Sequence, residues 1–262
     1  MILKNKIIII SGSSGIYGTE IVKYLLKQKA NVIGLDIKNN KKKINDLKKK
    51  YKKSFFYYNC DATNEHEVKK INNLIIKKFK RIDVLINLAS ITDPVEGKKS
   101  IIKFEDFNSV EFEHILSKNI MSTFIPSKIF GKEMIKKKNG SIINFSSTYA
   151  LVGPDQKIYE NKNKKFFIKN AAYPTSKGGI ISFTKYLSSY WGSKNVRTNC
   201  VVPGGAQNKQ KNIFIKNYSN KTPLQRMAKR TDLNGIIHLL CSDEASYITG
   251  SILVVDGGWT SI

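Results

Sequence analysis

Residues 6–18 read KIIIISGSSGIYG and place an apolar run, a glycine-rich turn and the start of a helical pattern in succession. Residues 6–10 are rich in isoleucine and predict a buried strand, whereas residues 19–29 carry apolar side chains at helical spacing. Glycines between a strand and a helix let the backbone approach a pyrophosphate, whose charge then lies on the N–H groups of the helix N-terminus. We therefore expect a dinucleotide-phosphate site formed by Gly12, Ser14, Gly15, Ile16 and Gly18.

A second predicted strand, residues 31–35, ends on Asp36, which lies 18 residues after Gly18. A carboxylate at this distance can accept hydrogen bonds from the ribose diol of an adenosine. Asp36 would also repel a 2′-phosphate, so NAD is the expected cofactor; NADP is possible if Lys38 reaches that phosphate. The alternative interpretation is a tight turn followed by an aspartate that caps a helix.

The whole chain of 262 residues is long enough for one α/β domain with a large core. Strand-length apolar segments alternate with helical patterns, which indicates βαβ units and a parallel sheet. No apolar stretch approaches the ~18 residues that a membrane span requires, so no membrane partner is expected. Cys60, Cys200 and Cys241 lack metal-ligand spacing and predict buried free thiols in a reducing cytoplasm. The three histidines form no ligand motif either, so no metal site is expected.

The formal net charge of +25 raises the question of nucleic-acid binding. Only four of the 45 basic residues are arginine, and the lysine runs fall on predicted helices or their ends. No groove-reading motif accompanies the charge, so we expect no specific nucleic-acid partner. Weak, salt-dependent attraction to polyanions is still expected.

Tyr173 and Lys177 form the pair with the clearest chemical meaning. Side chains four residues apart stack on one face of a helix, so the ammonium can lie near the phenol. A cation ~4 Å away at an effective dielectric of ~20 contributes roughly 4 kcal/mol, or about three pKa units. This would make the phenol a general acid or base near neutral pH. Taken alone, the pair could equally be part of a solvated helix face.

Taken together, these motifs resemble the short-chain dehydrogenase/reductase family of the Tyr-x-x-x-Lys type, and the resemblance covers nearly the whole chain. Further matching positions are Asp61 and Ala62, the segment Asn87-Leu88-Ala89, Asn119, the strand and serine of residues 140–147, and the Pro203-Gly204 turn. The resemblance implies a doubly wound (Rossmann) parallel sheet of about seven strands with helices on both faces, in a single domain over residues 1–262. It also implies NAD(P)-dependent, reversible hydride transfer between nicotinamide and a carbonyl or secondary alcohol.

The resemblance assigns a role to each candidate residue. Tyr173 would exchange the proton with the substrate oxygen, and Lys177 would lower the pKa of the phenol and bind the nicotinamide ribose. Ser147 would orient the substrate oxygen, with Ser146 as a competitor on the opposite face of the strand. Asn119 would bind a water that links Lys177 to solvent. The expected cofactor contacts are Asp61 and Ala62 near adenine, Asn87 and Ala89 after the fourth strand, and Pro203 and Gly204 beside nicotinamide.

Two departures from the family pattern bear on the substrate. The Gly-x-x-Gly-x-x-Gly spacing of the first turn is more familiar in sugar-nucleotide epimerases, so an epimerase-like activity is one alternative. The 25 residues between Ser147 and Tyr173 are about twice the usual connection and indicate an insertion at residues 157–170. The insertion carries one acidic residue, Glu160, with Tyr159, Phe166 and Phe167 among the lysines Lys157, Lys162, Lys164, Lys165 and Lys169. It could therefore bind an anionic sugar derivative.

Three features resemble family members encoded with bacterial surface-sugar and flagellin-glycan genes. They are the Pro203-Gly204-Gly205 turn, the insertion and the helix that follows Tyr173. A different class of function, a non-catalytic NAD-binding regulatory or assembly protein, is disfavoured by the intact set of Ser147, Tyr173 and Lys177. Family members of this size commonly form dimers or tetramers through two long helices, here residues 110–137 and 172–191. The second helix carries Ile180, Ile181, Phe183, Leu187 and Trp191. This is more apolar surface than a single core-facing stripe requires, and a symmetric assembly is expected to cover it.

Overall fold

The strands of this computed structural model form one parallel sheet, with a small antiparallel hairpin beside it. The structure describes residues 3–37, 41–91, 101–161 and 164–262; Lys38 and Lys162 lie outside these ranges. The seven strands of the sheet are β1 (Ile7–Ser11), β2 (Asn31–Asp36), β3 (Phe55–Asn59), β4 (Val84–Asn87), β5 (Gly140–Phe145), β8 (Val196–Pro203) and β9 (Ile252–Val255). Strands β6 (Glu160–Asn161) and β7 (Lys164–Lys165) form the hairpin within the insertion.

Seven α-helices connect or flank these strands in the described ranges. They are α1 (Ile16–Lys27), α2 (Lys41–Lys50), α3 (Glu65–Phe79), α4 (Ser109–Lys137), α5 (Ala172–Trp191), α6 (Asn212–Lys221) and α7 (Asn234–Cys241). None of the helices in these ranges is long and apolar enough to cross a membrane. Helix α1 begins three residues earlier than its apolar pattern indicates and ends before Lys29, which adopts a left-handed conformation with φ of 64°.

The order of strands in the sheet is β3-β2-β1-β4-β5-β8-β9. Successive isoleucines of β1 point to opposite faces: Ile8 and Ile10 pack in a cluster with α1 and α7, whereas Ile7 and Ile9 pack with α3, α4 and α5. The sheet is therefore covered by helices on both faces, as the sequence predicts. Successive strands are added outward in one direction from β1 to β3 and in the other direction from β4 onward. The crevice at the carboxyl ends of β1 and β4 is therefore the expected ligand site.

The apolar residues of α5 divide between the core of this chain and less buried positions. Ile180, Leu187 and Trp191 are buried within this chain, because α5 packs against both the sheet and α4. The indole of Trp191 fills the space beside Gly131 of α4, where an added Cβ would lie 2.6 Å from the ring. The exposed aromatic residues of α5 are instead Tyr186 and Tyr190, which stack on each other with ring centroids 5.6 Å apart.

Candidate functional site

The glycine turn between β1 and α1 is closely packed against the end of β4. Gly12 has a φ of +70°, and a Cβ there would lie 2.7 Å from the amide nitrogen of Ala89. A Cβ on Gly18 would collide with the carbonyl oxygen of Gly12, so α1 approaches the turn only because both residues are glycine. Gly15, which caps α1, has no side chain to accept from the first-turn amides. This cradle fits a pyrophosphate at the helix N-terminus.

Asp36 lies at the end of β2, directly beside the glycine turn. Its Oδ2 atom accepts a hydrogen bond of 2.8 Å from the backbone N–H of Ser14, and its carbonyl oxygen accepts one of 3.2 Å from the hydroxyl of Tyr57. The carboxylate is thus held at the edge of the phosphate cradle. This is the position from which an acid can reach an adenosine ribose.

The acid proposed near adenine, Asp61, is engaged by neighbouring side chains. Its Oδ1 accepts from the amide and hydroxyl of Thr63 at 2.8 and 2.7 Å, and its Oδ2 lies 3.3 Å from the ammonium of Lys118. Burial opposes ionisation of Asp61, but the bonds from Thr63 and Lys118 outweigh it and hold the pKa of this carboxyl below its ordinary value. Ala62 follows in the chain and is buried.

The side chain of Asn87 points into the core rather than toward the cofactor crevice. Its Nδ2 donates to Ser127 Oγ and to Asn144 Oδ1, both at 2.9 Å, and its Oδ1 is buried without a hydrogen-bond partner in the described residues. Only the backbone of this position remains a candidate for cofactor contact. The backbone of Ala89, by contrast, borders the glycine turn, where its amide lies 3.4 Å from Ser11 Oγ.

The structure brings Tyr173 and Lys177 together in the first turns of α5. The ammonium of Lys177 donates to the carbonyl oxygen of Phe145 at 3.1 Å and lies 5.7 Å from the centre of the Tyr173 ring. The Lys177 side chain is only 3% exposed, and this burial lowers the pKa of its ammonium to about 8. Asn170 accepts from the amide of Tyr173 at 3.3 Å and fixes the start of the helix.

Two adjacent serines follow β5, and their hydroxyls have different partners. Ser146 donates to the backbone carbonyl of Lys177 at 2.8 Å, which ties β5 to α5. Ser147 accepts from the amide of Tyr149 at 3.3 Å, at the start of the short 3₁₀ helix Thr148–Ala150. The hydroxyl of Ser146 therefore donates a structural hydrogen bond, whereas the hydroxyl of Ser147 donates to no acceptor among the described residues.

Asn119 is fully buried in α4 and connects the end of β4 to α5. Its Oδ1 accepts from the amide of Ile91 at 2.7 Å, and its Nδ2 donates to Ser176 Oγ at 2.9 Å. The backbone carbonyl oxygen of Asn119 accepts from the hydroxyl of Ser122 at 3.1 Å. These contacts show a residue that holds the two sides of the site together.

Two further residues of the site are missed by the sequence patterns. The hydroxyl of Tyr17, within the glycine turn, donates to the carbonyl oxygen of Gly204 at 3.0 Å and so joins this turn to the one that follows Pro203. Lys169 places its ammonium 4.0 Å from the centre of the Tyr173 ring. The signal for Tyr17 was a large hydroxylated residue among glycines. The signal for Lys169 was a lysine four residues before Tyr173, which does not stand out in a lysine-rich chain.

The insertion packs on α6, and this corrects the expectation for its aromatic residues. Tyr159 stacks on Phe214 of α6 with ring centroids 5.3 Å apart and lies 4.8 Å from the Phe167 ring. Asn217 of α6 donates to the carbonyl oxygens of Ile158 and Glu160. Tyr159 and Phe167 are buried, so they form a structural cluster and are not available to cover a sugar ring.

An open cavity of about 820 Å³ lies beside the N-terminus of α5. Its walls come from residues 101–107, from the insertion and from the start of α5. They carry the basic residues Lys103, Lys165 and Lys169 and the acidic Glu105, with Phe104 and Phe107 between them. The cavity adjoins Tyr173 through Lys169, so a ligand there would lie next to the proposed acid–base residue.

Comparison with known proteins identifies the family of this chain. A family model described as enoyl-(acyl carrier protein) reductase matches residues 11–260. Post-translational flagellin modification protein A of Campylobacter coli is 28% identical over 259 residues, which cover 98% of this chain and 99% of that protein. A 3-oxoacyl-acyl-carrier-protein reductase of Chlamydia muridarum is 30% identical over 268 residues, with 98% of each chain covered.

Among solved structures, a short chain dehydrogenase from Leptospira borgpetersenii with bound NAD+ superposes with a TM-score of 0.85 at 34% identity. The match covers 98% of this chain and 94% of that one. These matches favour an oxidoreductase over a non-catalytic NAD-binding protein or an epimerase. The chain belongs to the short-chain dehydrogenase/reductase family and is an NAD(P)-dependent oxidoreductase.

Proposed function

We propose that Tyr173 is the general acid and base of a reversible carbonyl reduction, with Lys177, Ser147 and Asn119 as its supporting residues. The observation that carries this proposal is the buried ammonium of Lys177, held by Phe145 at 5.7 Å from the Tyr173 ring. A cation fixed in a poorly solvated site favours ionisation of a neighbouring phenol. Bound nicotinamide would supply or accept the hydride.

Ser147 and Asn119 would position the substrate and the helix α5 rather than supply charge. Ser147 would donate to the substrate oxygen, because its hydroxyl proton is not used in the bond that it accepts from Tyr149. Asn119 would fix α5 relative to the end of β4 through Ser176 and Ile91, and hold a water on the path from Lys177 to solvent. Together they would hold the reacting oxygen within reach of the Tyr173 phenol.

The test is a scan for NADH oxidation with a library of carbonyl compounds, followed by the Tyr173→Phe variant. This change removes only the exchangeable proton, so we expect turnover to fall by ~10²–10⁴-fold while NADH binding is retained. Tyr186→Phe, an exposed tyrosine on the same helix, is the matched control and should keep full activity. Wild-type turnover in Tyr173→Phe would show that another group moves the proton.

We propose NAD rather than NADP as the preferred cofactor. Asp36 is fixed at the edge of the glycine cradle by the amide of Ser14, where its charge would accept from a ribose diol and repel a 2′-phosphate. The cradle amides, Ala62, Ala89 and the turn at Pro203-Gly204 would complete the contacts, with Asp61 near adenine. The bound NAD+ of the Leptospira relative supports this preference.

For the substrate we propose a small carbonyl or alcohol compound with an anionic group, in the class of acidic or phosphorylated sugar derivatives. The cavity beside α5 is lined by three lysines and one glutamate, and one of these lysines, Lys169, lies over the Tyr173 ring. Its basic walls would attract a carboxylate or phosphate. The similarity to the flagellin modification protein supports a place in surface-sugar metabolism.

We also propose that the protein is a homo-oligomer, a dimer or a tetramer, that pairs through α4 and α5. Tyr186 and Tyr190 are 59% and 64% exposed on α5. Phe124 of α4 is 37% exposed, and its ring centroid lies 5.8 Å from that of Phe183 on α5. A self-complementary contact between two copies would cover these rings.

Residues 1–262 are proposed to form one domain with the insertion at residues 157–170. One seven-stranded sheet runs through the described residues, and the insertion, with its own short hairpin, packs on α6. All three cysteines are free and buried, which supports a reducing compartment such as the cytoplasm.

A further inference from the structure

Lys169 belongs to the insertion and places its ammonium over the ring of Tyr173. Its side chain is only 9% exposed, and its ammonium lies 4.0 Å from the centre of the Tyr173 ring, against 5.7 Å for Lys177. An ammonium above the face of an aromatic ring is attracted by the negative charge density of that face. The attraction grows when the phenol ionises, because part of the phenolate charge is delocalised into the ring.

The backbone around Lys169 is fixed from both sides. Gln156 brackets it: its Nε2 donates to the carbonyl oxygen of Lys169 at 2.9 Å, and its Oε1 accepts from the Lys169 amide at 3.0 Å. The next residue, Asn170, accepts from the amides of Ala172 and Tyr173 and caps α5. Lys169 therefore has a defined position relative to the helix that carries Tyr173.

We propose that Lys169 is a positioning residue that works with Lys177 to hold Tyr173 ready to give up its proton. The inference rests on the proposed role of Tyr173 and adds to it a second cation, supplied by the insertion. The two ammonium groups also repel each other, and the charge of Lys169 is one of the causes that lower the pKa of Lys177. A phenolate between them would relieve this repulsion, so the pair favours the ionised ring more than either lysine alone would.

Other titratable groups around this pair come from several elements. Tyr17 at the start of α1 and Tyr149 after β5 both face Tyr173, and burial raises the pKa of each phenol well above its ordinary value. Cys200 of β8 faces Lys177, and burial raises the pKa of its thiol to about 12. These three groups are neutral near pH 7 and do not replace the charge of Lys169.

The test is an ultraviolet titration of phenolate in the NAD+-loaded protein, from which the same titration of Tyr173→Phe is subtracted. The difference reports ionisation of Tyr173 and needs no substrate. Lys169→Met keeps the length of the side chain but removes its charge, so we expect the midpoint of Tyr173 ionisation to rise by about 1–3 pH units, the usual effect of one nearby opposite charge. Lys169→Arg should return most of that shift.

Lys165→Met is the matched control, because Lys165 belongs to the same insertion but is exposed. It should shift the midpoint much less than Lys169→Met. An unchanged midpoint in Lys169→Met, or an equal shift in Lys165→Met, would overturn the inference. Failure of the proposed function is seen separately: Tyr173→Phe would then retain turnover, whatever the titration shows.

Discussion

Replacing Lys177 with methionine should stabilise the fold near neutral pH, even though it removes a residue that the proposed reaction needs. Lys177 is buried, and desolvation lowers the pKa of its ammonium from 10.5 to about 8. Because the pKa is lower in the folded state, the unfolded chain binds more protons between these two pH values. Above pH 10.5 the amine is neutral in both states, so Lys177 costs no stability through ionisation. This cost appears, and stability is lost, as the pH falls to about 8.

The size of this effect follows from the shift. One pKa unit corresponds to about 1.4 kcal/mol, so keeping the ammonium charged and buried costs about 3 kcal/mol near pH 7. Near pH 10 most of this cost has disappeared, because the amine is then neutral in the fold. The hydrogen bond to Phe145 is lost in the variant at both pH values and largely cancels from the comparison. The advantage of methionine should therefore shrink by about 2–3 kcal/mol between the two conditions.

The assay is urea unfolding near pH 7 and near pH 10, with Lys177→Met compared in a Tyr173→Phe background. That background removes the ionisation of the phenol to which Lys177 is coupled. The control is Lys185→Met, which replaces an exposed lysine on the same helix. It should change the free energy of unfolding by the same amount at both pH values. If Lys177→Met changed the free energy of unfolding equally at both pH values, the buried ammonium would not carry this cost.

Three further results are expected. The ratio of kcat/KM for NAD to that for NADP should exceed one and should fall in Asp36→Asn; a preference of the wild type for NADP would contradict the assignment of Asp36. Lys165→Ala, in the wall of the cavity, should raise KM for an anionic substrate and weaken the dependence of KM on salt concentration. The neighbouring Lys164→Ala should have a smaller effect on KM, and equal effects would place the anion elsewhere. Light scattering at micromolar concentration should give a dimer or tetramer, and Tyr190→Glu should lower the mass by placing charge in the contact; a monomeric wild type would refute the interface.

The parts of the fold that the sequence predicted well depend on local signals. The isoleucine run, the glycines and Asp36 lie within one strand–turn–helix–strand unit, so their spacing along the chain is also their arrangement in space. The pairing of Tyr173 with Lys177 is equally local, because both lie on one helix. The seven-stranded sheet was implied by the family resemblance, and the comparisons confirm the family.

The parts that were missed depend on contacts between distant segments. Asn87 could point to either face of a strand whose residues are all buried, and only its bonds to Ser127 and Asn144 decide the direction. Lys169 is one of many lysines, and nothing in its neighbours along the chain indicates that it is buried against Tyr173. The sequence predicts surplus apolar surface on α5 but does not show which of these residues α4 and the sheet already cover.

The packing of the insertion against α6 limits how the substrate range of this enzyme can be altered. Tyr159 relies on Phe214 for burial, and Asn217 relies on the carbonyl oxygens of Ile158 and Glu160 for hydrogen bonds. Grafting the insertion alone into a relative with a short connection would leave apolar rings in water and backbone acceptors without donors. A productive graft must carry both segments, although they are far apart in the sequence. Recombination between relatives would therefore yield working chimeras mainly when its crossover points keep the two segments from the same parent.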